Sequence, residues 1–154
     1  MAWVRCCGGT AKKSKILYEN GSWNIGYDNP GGYTYTGITA HGATLNPSNF
    51  VLNGSSSSVG VIGTSVKVDL TNIDIVKINV KKQSGQTYGA SLLIRSSKNL
   101  ANGSDNIVIQ GIPNISDYTE IVADVSALTG EYYICITTIT DASVQVECNK
   151  IWLE

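Results

Sequence analysis

The 154-residue chain carries 11 basic and 12 acidic side chains, for a net charge of -1 and a pI near 5.8. This length suits one domain with a sizeable core, and the charge balance leaves no basic stripe to neutralise a row of phosphates, which excludes a nucleic-acid partner. Only 15% of the residues are charged, against about a quarter in ordinary soluble domains. Ser, Thr, Asn and Gly must therefore supply the polar surface, as suits work outside the cytosol or within a large assembly.

Residues 1–15 read as an arm. The run Arg5-Cys6-Cys7-Gly8-Gly9-Thr10-Ala11-Lys12-Lys13 has no periodicity and two adjacent glycines. Arg5, Lys12 and Lys13 are the groups through which it would anchor to a partner. No apolar stretch of signal length follows the lysines. No run approaches the ~18 to 20 apolar residues of a membrane helix, so membrane insertion is not expected.

From residue 16 to 154 the text is strands and turns. Residues 16–18 end at Asn20-Gly21, and 23–27 reads as one strand with Trp23, Ile25 and Tyr27 on a shared face. Asp28-Asn29-Pro30-Gly31-Gly32 breaks the chain, and 33–36 reads as a short alternating strand. Residues 50–52 stop at Asn53-Gly54, and the serine tract 55–58 is a loop. Segment 66–70 leads into the run 73–80, where Val76, Ile78 and Val80 oppose Lys77, Asn79 and Lys81, the pattern of a half-buried strand. Segment 88–95 sets Ala90, Leu92 and Ile94 against Ser91, Leu93 and Arg95. Strands at 107–109, 120–125, 132–139 and 144–153 complete the set. The best helical candidate is one turn at 126–128, closed by Gly130. Many short strands with Gly and Asn turns mean an all-β fold, and about eight to eleven of them favour an antiparallel jelly-roll β-sandwich.

The cysteines leave two readings. If 141–142 is a two-residue hairpin loop, Cys135 lies opposite Cys148 within bonding reach; with a three-residue loop the pair is lost. Two buried free thiols acting as small apolar groups is the preferred reading. Cys6 and Cys7 are too close in sequence to bond readily.

Little here carries catalysis. The one histidine, His41, sits beside Gly42 without an obvious partner, and the motifs of common hydrolases and nucleotide binders are missing. No catalytic residue, metal ligand or cofactor is assigned. A structural calcium would need Asp28-Asn29 or Asp105-Asn106, the only local acid–amide clusters. Aromatics point instead to binding, because sugars stack on aromatic faces and hydrogen-bond to Asn, Asp, Gln or Arg in a preformed concave site. Trp23, Tyr27, Tyr33, Tyr35, Tyr88, Arg95 and Tyr118 form the candidate glycan-binding set.

Three passages carry a resemblance. Val68-Asp69-Leu70-Thr71-Asn72-Ile73, Ala123-Asp124-Val125-Ser126-Ala127-Leu128-Thr129-Gly130-Glu131-Tyr132-Tyr133 and the closing Lys150-Ile151-Trp152-Leu153-Glu154 resemble jelly-roll structural proteins of phages and prophages. The basic arm before Ile16-Leu17-Tyr18-Glu19-Asn20-Gly21 resembles small tail or head-appendage proteins of phages that infect gut bacteria. A similar pattern occurs in carbohydrate-binding-module-like sandwiches. The resemblance implies a non-enzymatic virion component of the tail, baseplate or head. It would be assembled in the host cytoplasm, contact other virion proteins and its own copies, and display the jelly roll toward a host-surface glycan. The alternative is a stand-alone carbohydrate-binding module.

Overall fold

The computed structural model describes residues 14–84 and 89–154. The strands are β1 (Lys15–Glu19), β2 (Ser22–Trp23), β3 (Tyr27–Asp28), β4 (Thr39–His41), β5 (Thr44–Leu45), β6 (Phe50–Asn53) and β7 (Ser58–Thr64) in the first half. They continue with β8 (Val68–Asp69), β9 (Ile75–Gln83), β10 (Ala90–Arg95), β11 (Asn106–Gly111), β12 (Ile115–Asp124), β13 (Glu131–Thr138) and β14 (Gln145–Leu153). They form two sheets of seven strands each. The first runs β12-β9-β14-β1-β2, with β6 also on β14 and β5 on β6; the second runs β11-β10-β13-β7-β3, with β4 on β7 and β8 on β13. Every pairing is antiparallel except β4 with β7.

The strands of five residues or more are β1, β7 and β9 to β14. They divide as β1-β14-β9-β12 and β7-β13-β10-β11, the interleaved order of a jelly roll. The expected fold class is therefore the one observed. Among the described residues the helical content is one 3-10 turn, Gly103–Asp105. Segment 126–128 is a single turn in which the Leu128 N–H donates to the Val125 carbonyl at 2.9 Å.

The alternation expected on β9 and β10 sorts their side chains as read. Val76, Ile78, Val80, Leu92 and Ile94 join Ile134, Ile136, Val146 and Ile151 in the core between the sheets. The outer face of the first sheet is a charged lattice. Lys81 pairs with Glu147 at 3.0 Å, and Lys77 with Glu154 at 3.2 Å and Glu120 at 3.5 Å. The Lys150 ammonium lies 4.5 Å from the centroid of the Trp152 ring.

Several expectations need correction. Residues 23–27 are not one strand: Ser22–Trp23 pairs with β1 in the first sheet and Tyr27–Asp28 with β7 in the second, so the chain crosses the edge of the sandwich between them. Residues 33–36 make only isolated bridges, Thr34 with Asn99 and Tyr35 with Ile38, because this segment lies over a sheet face rather than in its plane. β7, a central strand, has no counterpart among the expected elements. The 141–143 turn joins strands of opposite sheets and makes no hairpin. Cys135 lies between Leu93 and Gly63, and Cys148 between Val80 and Phe50. Both are free and buried, and burial pushes each thiol up to about 12. The arm residues Arg5, Cys6, Cys7, Lys12 and Lys13, and the candidate Tyr88, lie outside the described residues.

Candidate functional site

The second sheet carries a different outer face from the first. Cross-strand register aligns Asp28, Gly63, Cys135, Leu93 and Ile109 in one row, and Val61, Thr137, Ser91 and Gly111 in the next. Cross-strand partners share a face of the sheet, so this face is largely apolar. One half of it is roofed by two segments, residues 30–38 and 96–102. The roof is tied together where Thr34 N–H donates to the Lys98 carbonyl at 3.1 Å and Leu100 N–H to the Thr34 carbonyl at 2.7 Å. Beneath it Tyr33, Val61, Leu93, Leu100 and Cys135 form a second, small core.

Arg95 fastens the roof to the sheet. It is 1% exposed although it sits on an outward position of β10. Its Nε donates to the Ser97 carbonyl at 3.1 Å, and Nη2 to the carbonyls of Asn99 at 2.6 Å and Asn102 at 3.0 Å. Nη1 donates to Asn106 Oδ1. Nearby, Ser97 Oγ donates to Asp105 Oδ2 at 2.6 Å. That bond, chiefly, holds the Asp105 carboxyl below its ordinary range. Lys98 closes the other end: its ammonium meets Asp28 Oδ2 at 2.5 Å and lies 5.8 Å and 5.3 Å from the ring centroids of Tyr33 and Tyr133.

Where the roof stops, a cleft of about 310 Å³ opens on the sheet. Tyr35, Ile38 and Leu100 line it from the roof, and Val59, Leu93 and Thr137 from the sheet. Asn106, Ile139 and Thr140 complete its walls, and Arg95 reaches it from below. Tyr35 is 38% exposed, so its ring is available to a ligand. An aromatic face, aliphatic walls, an amide and hydroxyls suit a polyhydroxylated ligand with both C–H surfaces and polar edges. Among the described residues no carboxylate or histidine lines the cleft, so they place no carboxylate or imidazole acid–base pair there.

Of the six aromatic and arginine candidates among the described residues, only Tyr35 and Arg95 meet in this cleft. Arg95 reaches it as a buried support, with its donors turned to the loop. Tyr33 is 2% exposed and donates its hydroxyl to the Thr64 carbonyl at 2.9 Å, so it is a packed residue under the roof. Trp23 stacks on Tyr27 with centroids 4.8 Å apart, at the sandwich edge beside Phe50. Tyr118 belongs to the first sheet. Its hydroxyl accepts from Asn49 Nδ2 at 3.0 Å, and the Lys81 ammonium lies 5.0 Å from its ring centroid.

The other sequence candidates are engaged. The His41 ring bridges the Asn53 carbonyl at 2.5 Å and Ser58 Oγ at 3.0 Å. Only an Nε2–H can donate to that carbonyl, which leaves Nδ1 of the neutral ring to accept from the serine. In the two acid–amide clusters Asp28 pairs with Lys98, Asn29 bonds Ala43, Asp105 bonds Ser97 and Asn106 bonds Arg95.

Thr137 and Thr140 are absent from the sequence candidates, and Asn106 entered only as half of an acid–amide cluster, not as a glycan contact. The one available signal was polar threonines interrupting the apolar run at the end of β13, but that pattern also fits a strand terminus.

The jelly roll matches solved carbohydrate-binding modules in fold. A family 29 module variant complexed with mannohexaose superposes with a TM-score of 0.61 at 11% identity, over 93% of this chain and 92% of that one. A variant complexed with cellulohexaose gives 0.59 at 12% identity, over 91% and 89%. A further family 29 module gives 0.58 at 12% identity, over 91% and 86%. At these identities the likeness is one of fold. No family model and no curated protein sequence matches the chain.

Proposed function

We propose that this chain is a non-catalytic carbohydrate-binding module that receives its ligand in the cleft beneath Tyr35. The observation that carries the reading is the pairing of a half-exposed Tyr35 ring with Asn106, Thr137 and Thr140 in one cleft whose lining holds no carboxylate or histidine. The jelly-roll likeness to modules solved with cellulohexaose and mannohexaose supports the same class of ligand. A virion role draws on the arm, most of which lies outside the described residues, and nothing in the fold likenesses points to a phage component. The stand-alone module is therefore the better supported of the two readings.

Titration calorimetry with cellohexaose, mannohexaose and the matching xylo- and galacto-oligosaccharides tests it. At least one series binds the native chain, and Tyr35→Ala weakens that binding about tenfold or more, equal to ~1.4 kcal/mol. Circular dichroism stays native, because an exposed ring contributes little to the core. Binding unaffected by Tyr35→Ala would remove the cleft from the function.

A further inference from the structure

The cleft is blind on one side, and what lies on the other side differs. Toward Asp28 the roof seals the sheet: Thr34 and Leu100 are hydrogen-bonded to each other, Lys98 is paired with Asp28, and Tyr33 and Cys135 are buried underneath. A ligand leaving the cleft in that direction would have to displace a packed core. On the opposite side Ile139, 41% exposed, forms a low ridge. Beyond it lies a second hollow of about 340 Å³ floored by Ser91 and Gly111 and bounded by Ile112 and Pro113. Ile139 lines both hollows. Among the described residues nothing lies within 4 Å of a Cβ built on Gly111, so none of them covers this floor above the sheet.

Building on the proposed glycan-binding role, we infer that the module recognises the end of a glycan rather than the middle of a chain. The terminal sugar sits under Tyr35 against the closed end of the roof, and the next unit crosses Ile139 into the hollow over Ser91 and Gly111. Each hollow is near the lower limit of small-molecule sites, which run from about 300 to 1,000 Å³, so neither holds an extended oligosaccharide. An open-ended groove would let a polymer slide through and accept many modules per chain. A blind one takes one module per chain end, and its contacts are complete once both hollows are filled.

The test is a length series on the native chain: mono-, di-, tri- and hexasaccharides of the gluco- and manno-series, followed by the soluble polysaccharide before and after brief endo-hydrolysis. End recognition gives an affinity that rises from mono- to disaccharide and then stays within about twofold up to the hexasaccharide. It also gives a number of bound modules that follows the count of chain ends at constant polymer mass. Affinity that climbs steadily to the hexasaccharide, with binding that follows mass, overturns end recognition and leaves the cleft reading standing. No binding to any of these sugars overturns both. Gly111→Leu tests the second hollow separately. It fills open space, so it keeps monosaccharide affinity and removes the gain from the second unit; an undiminished gain takes the second hollow out of the site.

Discussion

Arg95 shows how a residue of functional type becomes a structural one. Its guanidinium is buried without a carboxylate hydrogen-bonded to it and is satisfied by three backbone carbonyls and the Asn106 amide oxygen, all from residues 97–106. Charged hydrogen bonds of this kind contribute about 1.5 to 3 kcal/mol each, and acceptors left bare under a loop lose their solvation as well. Arg95→Met should therefore destabilise the fold by about 2 to 4 kcal/mol, read as a lower urea midpoint, and weaken sugar binding because the roof over the cleft loosens. Arg95→Lys should rescue little, since one ammonium cannot span acceptors spread around a planar fork. A lysine variant with native stability would show that charge alone holds the loop. Alternation on β10 made the position of Arg95 legible from sequence, but not its partners, which depend on how residues 97–106 curl back over the strand.

Strands are legible when one face is wet. β9 and β10 alternate because their outer side chains meet water, loops or the cleft, and the sequence shows that period directly. β7 hides because it is buried on both faces from Val59 to Thr64, so it has no polar phase, and glycines at 60 and 63 break its apolar run. Those glycines mark close packing. A Cβ on Gly63 would lie 2.5 Å from Cys135 Cβ and 2.7 Å from both the Ile134 carbonyl oxygen and Tyr33 Oη. Gly63→Ala must push apart β7, β13 and the Tyr33 roof at once, which places its cost at about 1 to 3 kcal/mol or above, as overpacked cores show. Gly111→Ala on edge strand β11 is the matched control. Among the described residues its Cβ meets no atom within 4 Å, and the lost backbone freedom of the unfolded chain makes it neutral or stabilising by up to about 1 kcal/mol. Equal effects of the two in urea denaturation would mean that the roof does not pack on β7 as described. The segment 33–36 misleads in the opposite way: Tyr-Thr-Tyr-Thr alternates like a strand, which would set both tyrosines on one face, yet the loop buries Tyr33 and exposes Tyr35.

For the whole molecule, the placement of acidic protons inside the sandwich sets its response to alkali. Cys135 lies under the roof of one sheet and Cys148 in the core beside the other, and burial raises both thiols to about 12 from an ordinary value near 9. Burial likewise lifts the Tyr18 hydroxyl to about 12, and pushes Tyr33 further in the same direction. In each case the fold keeps a proton that the unfolded chain releases. Stability from these groups is therefore complete below pH 9 and is lost as pH rises toward 12, by up to about 1.4 kcal/mol per pH unit for each group in that window. The surface lattice acts with the same sign: ion pairing raises Lys77 and Lys81, and their contribution also disappears as the ammonium groups lose their protons. Lys82 opposes it, because burial lowers its pKa and the unfolded chain then holds the extra proton. Two thiols and two phenols outweigh one amine, so the unfolding free energy from urea titrations should be flat from pH 7 to about 8.5 and fall progressively through pH 11. Alkylation with iodoacetamide, mapped by mass spectrometry, should leave Cys135 and Cys148 unmodified in the native chain at pH 8 and label both in denaturant. Labelling of either thiol under native conditions, or a stability that stays level through pH 11, would contradict the burial of Cys135 under the roof and of Cys148 in the core between the sheets.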